Sequence, residues 1–182
     1  MKIEETPFKG LFILEPTVLK DDRGFFMESY NEKRLQEFGI KRKFIQDNHS
    51  RSQRGVIRGM HFQNPPYEQA KLIRSISGEI LDVVVDIRKE SKTYGEHFSV
   101  LLSSENKKQL FVPPGFAHGF AALSNDAEIL YKCDQFYNKD SEEGLPYNDP
   151  DLQIKWQLDL SEAIISEKDK VHSPFKDFVS QF

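Results

Sequence analysis

The chain has a single cysteine, Cys133, among 182 residues, so no disulfide can close within it. That composition fits a reducing, cytosolic setting. No apolar run approaches the roughly 20 residues that a membrane helix takes. The first ten residues, MKIEETPFKG, contain no apolar signal region. Neither sign of charge is in large excess: 25 Lys and Arg stand against 29 Asp and Glu, a formal net charge of -4. That argues against nucleic acid or a membrane surface as partner and leaves room for a local basic pocket. There is no Gly-rich dinucleotide fingerprint, internal repeat, low-complexity segment or linker. The length predicts one domain, 1–182, with enough chain to bury a core.

What is present is strand pattern and phenylalanine, 15 of them, which predicts a core or interface built with aromatics. Residues 8–21 are β-rich around Pro16, and 24–30 follow a DDRG turn. Residues 43–50 read as a short strand running into a turn at RSQRG. Residues 71–88 read as a hairpin about Ser77-Gly78. In its second half Leu81, Val83, Val85 and Ile87 share one face, and Asp82, Val84 and Asp86 the other. Residues 97–115 and 118–138 each read as strand, turn, strand, the second turning at Ser124-Asn125-Asp126. One early helix is predicted within 29–39, capped by Ser29 or Asn31 and stopped by Gly39. A helical segment near 160–170 and a loose tail complete the chain. Short strands at regular spacing predict a mainly β protein, an antiparallel sandwich or jelly-roll barrel.

The stretch IRGMHFQNPPYEQAKLIR, 57–74, sets Arg58, His61 and Lys71 into strand-like apolar sequence. Polar groups there cost free energy unless something uses them. Strict alternation would put Arg58 and His61 on opposite faces. They can share a cavity only if the strand is irregular between them, and Gly59 is where a bulge would sit. A lone histidine is as well explained by a core hydrogen bond. VPPGFAHGF, 112–120, carries P-x-G-x-x-H ending at His118, which resembles the second signature of cupin barrels. Where metal-binding cupins carry H-x-H, this chain reads His61-Phe62-Gln63. A catalytic metal site keeps about three protein ligands, so the missing histidine argues against bound metal and against a metal oxygenase. Tyr131 and Tyr137 are six apart and can share a face as acid and stacking platform, or simply pack. Asp169 in SEKDK reads equally as a surface charge or a turn cap. Arg23 and Glu28 suit a solvated turn and an edge, and Gln46, Asp47 and Asn48 suit a turn.

Taken in order, LEPTVLKDDRGFFMESYN, FIQDNHSRSQRGVIRGMHFQ, KLIRSISGEILDVVVDIRKES, FVPPGFAHGF, YKCDQFY and SEKD resemble the dTDP-4-dehydrorhamnose 3,5-epimerase family over most of the chain. The resemblance implies a cupin-type jelly roll that works without a cofactor. It also implies a homodimer with an exchanged N-terminal arm, about residues 1–30. By motif, His61 is the base, Asp169 orients it, Tyr131 is the acid, Lys71 lies near the sugar, and Tyr137 is the platform for thymine. Arg23, Glu28, Gln46, Asp47, Asn48, Arg58, His118 and Lys168 match substrate-contacting positions. The family has a glutamate just before a glycine after YKCDQFY. Counting forward reaches Glu142, but the Glu-Gly pair is Glu143-Gly144, so Glu143 is taken as the contact with Glu142 as the alternative, and the tail after Asp169 is given no role. The substrate implied is a dTDP-linked 4-keto-6-deoxy sugar, inverted at carbons 3 and 5. Alternatives are an epimerase acting at one carbon, a 3,4-ketoisomerase on a related sugar, or a sugar-nucleotide-binding cupin without catalysis. The joint presence of His61, Lys71, Tyr131 and Asp169 argues against the last, since binding alone does not need that set.

Overall fold

The computed structural model describes all 182 residues as two antiparallel sheets facing each other. The first has six strands in the order β1 (Lys2–Glu5), β2 (Phe12–Glu15), β10 (Gln109–Val112), β7 (Lys71–Ser77), β12 (Ala127–Cys133) and β5 (Gln46–Ser52). The second has five: β13 (Glu142–Gly144), β6 (Ile57–Gln63), β11 (Phe116–Ala122), β8 (Glu79–Asp86) and β9 (His97–Ser103). A separate hairpin of β3 (Val18–Asp21) and β4 (Gly24–Met27) projects from them, with Leu19, Phe25 and Phe26 more than half exposed. The mainly β, jelly-roll expectation holds. No helix is long and apolar enough to cross a membrane.

The three strand pairs read as local hairpins are built differently. β7 and β8 flank Gly78 but lie in different sheets, as do β9 and β10, and β11 and β12. Each turn carries the chain across the barrel instead of back along the same sheet. At the first crossing Gly78 has φ +67°, and a Cβ there would collide with the Ser124 side chain and the Asp126 carbonyl, so two crossings pack on each other. Local sequence fixes a turn but not which sheet the next strand joins, because both choices bury an alternating strand equally well.

Alternation builds three apolar layers. Ile13, Ile73, Ile80, Val84, Leu110, Phe116, Phe120 and Ile129 fill the space between the sheets. Leu81, Val83, Val85 and Ile87 share one face as predicted, and it is the outward one, joining Ile57, Met60, Phe62 and Trp156. The C-terminal segment covers them. Phe175, Phe178 and Phe182 pack on this face, the Lys89 N–H donates to the Phe182 carbonyl, and the Ser180 hydroxyl donates to the Ile87 carbonyl. The tail is therefore a packed lid on the second sheet, not a loose end. On the outer face of the first sheet, helix α1 (Glu32–Glu37) buries Leu35 against Leu14, Leu72 and Phe111. Asn31 is its cap, accepting the Arg34 N–H, and not Ser29. β5 runs on to Ser52, past the turn expected after residue 50. The segment 160–170 is two short 3-10 turns, Leu160–Glu162 and Glu167–Lys170.

Candidate active site

Between the sheets lies a cavity of about 760 Å³, within the usual range for small-molecule sites. From the six-stranded sheet come Gln46, Asn48, Lys71 and Tyr131, and from the five-stranded sheet Arg58, His61, Gln63 and His118. Glu142 comes from β13 at the edge of the five-stranded sheet, and Tyr137, Lys168 and Asp169 arrive on connecting segments.

Arg58 and His61 share the cavity because β6 is irregular where expected. His61 pairs with His118 and Arg58 with Phe120, so three steps on β6 match two on β11. Gly59 sits in the extra step with φ +128°. A Cβ at Gly59 would lie 2.5 Å from the Gly119 Cα, so only glycine permits this approach. Met60 then turns outward into the apolar layer while His61 turns in.

His61 is held from behind. Its Nε2 lies 2.7 Å from Asp169 Oδ1, and Asp169 Oδ2 accepts the Gly59 N–H at 3.3 Å. Asp169 reaches this place although 108 residues separate it from His61. The Ile57 N–H donates to the Ile164 carbonyl and the Ile164 N–H to the Gly55 carbonyl, laying the C-terminal segment along the start of β6. Ser166 then caps the turn by accepting the Asp169 N–H. Asp169 is buried, and burial raises a carboxyl pKa, but the hydrogen bond and charge of His61, with the Gly59 N–H, outweigh it and hold Asp169 below its usual value. An ionised Asp169 accepts the Nε2–H and leaves His61 Nδ1 as the ring nitrogen free to take a proton. His118 is held the same way, its Nε2 2.9 Å from Asp82 Oδ1. Asp82 is fully buried, which pushes its pKa up against the pull of His118.

The facing groups are tuned by burial. Desolvation pushes the Lys71 ammonium down and the Tyr131 phenol up. A phenol so shifted is protonated at neutral pH, as a proton donor must be. At the cavity mouth Tyr137 donates to Glu142 at 2.8 Å, and Lys168 is ion-paired to the same carboxylate at 2.5 Å. Burial raises the pKa of Glu142, but these two partners prevail and lower it. Arg58 is braced by Ser52 Oγ at 3.1 Å and the Arg51 carbonyl.

Four expected contacts fall elsewhere in the single chain. Glu142, not Glu143, lines the cavity; Glu143 points away and accepts the Asn64 amide at 2.8 Å. Counting from Tyr131 is thus the better guide than the Glu-Gly pair, because β13 pairs in register with β6 and turns alternate residues inward. Asp47 alternates outward between Gln46 and Asn48 and pairs with Lys132 at 2.9 Å. Arg23 stands at the tip of the β3–β4 hairpin, bonded to Asp21. Glu28 binds Arg34 and Asn31 beside α1.

Three further residues near the cavity had no role by sequence alone. Asp82 was seen only as one face of a strand; a carboxylate on the inward side of ILDVVVD was the available signal. Gln63, which stands where a metal cupin has histidine, instead clasps the loop before Tyr137. Its amide donates to the Tyr67 and Phe136 carbonyls and its oxygen accepts the Asn138 N–H. His172 gave no signal. Its ring lies 6.1 Å from that of His61, and its Nε2 is enclosed without a hydrogen-bond partner. Burial and the nearby His61 push it below the usual histidine value.

The family model described as dTDP-4-dehydrorhamnose 3,5-epimerase matches residues 5–177. The protein of that name from Methanothermobacter thermautotrophicus is 49% identical over 174 residues, covering 95% of this chain and 94% of the relative. The crystal structure of the Elizabethkingia anophelis dTDP-4-dehydrorhamnose 3,5-epimerase superposes with a TM-score of 0.93 at 49% identity, covering 97% of each chain. A Legionella pneumophila 3,5-epimerase crystallised with dTDP-4-keto-L-rhamnose gives 0.88 at 47% identity, over 92% of this chain and 89% of that one. A match of this length takes in both sheets and every cavity strand, and the chain belongs to the dTDP-4-dehydrorhamnose 3,5-epimerase family.

Proposed function

We propose that the chain is an isomerase that converts dTDP-4-dehydro-6-deoxy-D-glucose to dTDP-4-dehydro-L-rhamnose by inverting carbons 3 and 5, a step of dTDP-L-rhamnose biosynthesis. The observation that carries the mechanism is the placement of His61 and Tyr131 on facing sheets across one cavity.

A 4-ketone acidifies the protons on both flanking carbons. Inversion removes one of these protons and returns another to the opposite face of the ring, which calls for a base on one side and an acid on the other. His61, backed by the Asp169 carboxylate, takes the proton at Nδ1, and the imidazolium that forms is stabilised by that carboxylate. Tyr131 delivers a proton from the six-stranded side. Between these steps the negative charge rests on the enolate oxygen, and Lys71 is the cation that meets it in a desolvated place where such a contact counts most. Arg58 grips the diphosphate, since a guanidinium matches phosphate oxygens two at a time. Tyr137, Gln46 and Asn48 receive the nucleoside end, and His118, Glu142 and Lys168 complete the enclosure. No step calls for metal or nicotinamide, so dialysis against a chelator should leave turnover unchanged.

The working form proposed is a homodimer. Strands β1 and β2 pair within the first sheet, and beyond them the arm carries the β3–β4 hairpin, which pairs only with itself and is the part proposed to cross. Its exposed Leu19, Phe25 and Phe26 would be covered by a second copy, and Arg23 at its tip would then add a second cation to the partner's diphosphate site. Sedimentation analysis should give a dimer at catalytic concentrations. The reaction itself is tested by NMR of dTDP-4-keto-6-deoxyglucose with enzyme in heavy water. Deuterium at both carbon 3 and carbon 5 is expected, and exchange at one carbon alone would make this a single-site epimerase.

A further inference from the structure

His172 lies on the tail just beyond the turn that carries Asp169. Its place is set by an absence on β13. Gly144 pairs directly with His61, so a side chain at 144 would rise from the same face of the sheet as the His61 ring. Glycine leaves that space open, and His172 occupies it: a Cβ built on Gly144 would lie 2.5 Å from the His172 Nε2. The His172 ring thus stands edge-on to His61, its Nε2 enclosed and without a hydrogen-bond partner. An enclosed polar atom left unpaired costs free energy. No step of the reaction set out above uses this nitrogen.

Its surroundings supply what it lacks. His61, Asp169 and His172 each bring one donor atom to a common point, with all three atoms within 4.8 Å of one another. Two imidazoles and one carboxylate are a ligand set suited to zinc, and three protein ligands with one open position is a usual zinc arrangement. Zinc bonds of about 2.1 Å hold tetrahedral ligands roughly 3.4 Å apart. The His61 and Asp169 atoms are already closer than this, at 2.7 Å. The closure still needed falls to His172, whose neighbours Val171 and Ser173 are exposed and free to adjust.

We propose that His61, Asp169 and His172 form a zinc site, open to the substrate cavity, whose occupation blocks the base. The ion would take the bond that His61 and Asp169 now share through a proton, and would hold the His61 ring away from the sugar. The cation is an inhibitor here, not a cofactor, and magnesium and calcium, which prefer oxygen ligands, should not replace it. The inhibition rests on the reading of His61 as the base; the binding does not.

Calorimetric titration of the full-length, chelator-treated protein with zinc chloride, without substrate, is the direct test. Wild type should bind one zinc per chain, and cobalt in its place should give visible ligand-field bands. His172→Gln should keep turnover within about twofold without metal and bind zinc at least about tenfold more weakly, the smallest loss expected even for an outer-shell partner. In turnover assays zinc should inhibit wild type, with full recovery on chelation, and should spare the variant at the same concentration. Absence of binding by wild type at millimolar zinc, or equal affinity in His172→Gln, would overturn the site. Should the variant fail to fold, cobalt bands in wild type that vanish on adding zinc uphold the site, and their absence overturns it. Zinc bound through His172 with turnover unchanged would overturn the inhibition alone, since the assignment of His61 as base is tested separately by proton exchange in His61→Ala.

Discussion

On the five-stranded sheet each cavity histidine is backed by a buried carboxylate, His61 by Asp169 and His118 by Asp82. On the six-stranded sheet Lys71 and Tyr131 are shifted chiefly by burial, the lysine down and the phenol up. The contrast follows from what each side must do. A base needs one tautomer and one orientation, which a charged hydrogen bond fixes. An enolate stabiliser and a proton donor need strength at the moment charge develops, which desolvation gives. One side is held by partners and the other is poised by its surroundings.

That contrast predicts different failures. Asp169→Asn should be the most damaging change that keeps His61, because an amide can hold the wrong tautomer; a loss of roughly 10⁴ in kcat has the same cause in the serine-protease triad. Circular dichroism should show the fold kept, and an effect below tenfold would detach Asp169 from the base. Lys71→Met should cost about 10²–10³ in kcat, the range for one lost oxyanion donor. It should also raise Tm by about 2–4 °C, since a buried cation is replaced by an apolar chain.

Lys71 also predicts a pH dependence of definite sign. Its folded pKa is lowered, so activity that needs the ammonium is present below that value. It should fall as pH rises through it, short of the ordinary lysine value of about 10.4. In the same window stability should rise with pH, because the unfolded chain binds the proton more tightly. Lys71→Arg should remove the alkaline limb, and a limb left in place would assign it elsewhere.

Arg58→Ala should raise KM by about 10- to 100-fold with kcat little changed, since the diphosphate does not change charge in the reaction. A large kcat loss at unchanged KM would place Arg58 at the sugar ring. The smallest effect expected is at the two glutamates of β13. Glu142→Gln removes the charge that pairs with the half-exposed Lys168 and weakens the contact from Tyr137, for less than about tenfold in KM, while Glu143→Gln should be silent. The reverse order would restore Glu143 as the contact.

How much of this was legible follows from the range of each signal. Alternation within a strand separated the two faces of β8, and the need for a bulge at Gly59 followed from Arg58 and His61 alone, whereas Gln46 and Asn48, which suit a turn by composition, lie inward on β5. Sheet membership was not legible, because the three crossings look like hairpins until the partner strands are known. Nor was the Asp169–His61 contact readable from pattern; it spans 108 residues and came only through family motifs. Asp47 was misplaced because a motif names neighbours in sequence, whereas a strand sends every second residue the other way. The tail's packing rests on Phe175, Phe178 and Phe182, whose i, i+3, i+7 spacing suits a helix face, whereas the structure forms only a short 3-10 turn at Phe175–Asp177.

The division of labour between the sheets is tested most directly by measuring, in heavy water, the rates of sugar proton exchange and of product formation for Tyr131→Phe and His61→Ala. Without the phenol, His61, Lys71 and Arg58 remain. The enolate still forms but is mostly quenched from the His61 side, which restores the starting configuration. Tyr131→Phe should therefore keep exchanging protons while losing most net epimerisation, and His61→Ala should lose both. Near wild-type epimerisation by Tyr131→Phe, or continued exchange in His61→Ala, would contradict the assignment of base and acid to facing sheets.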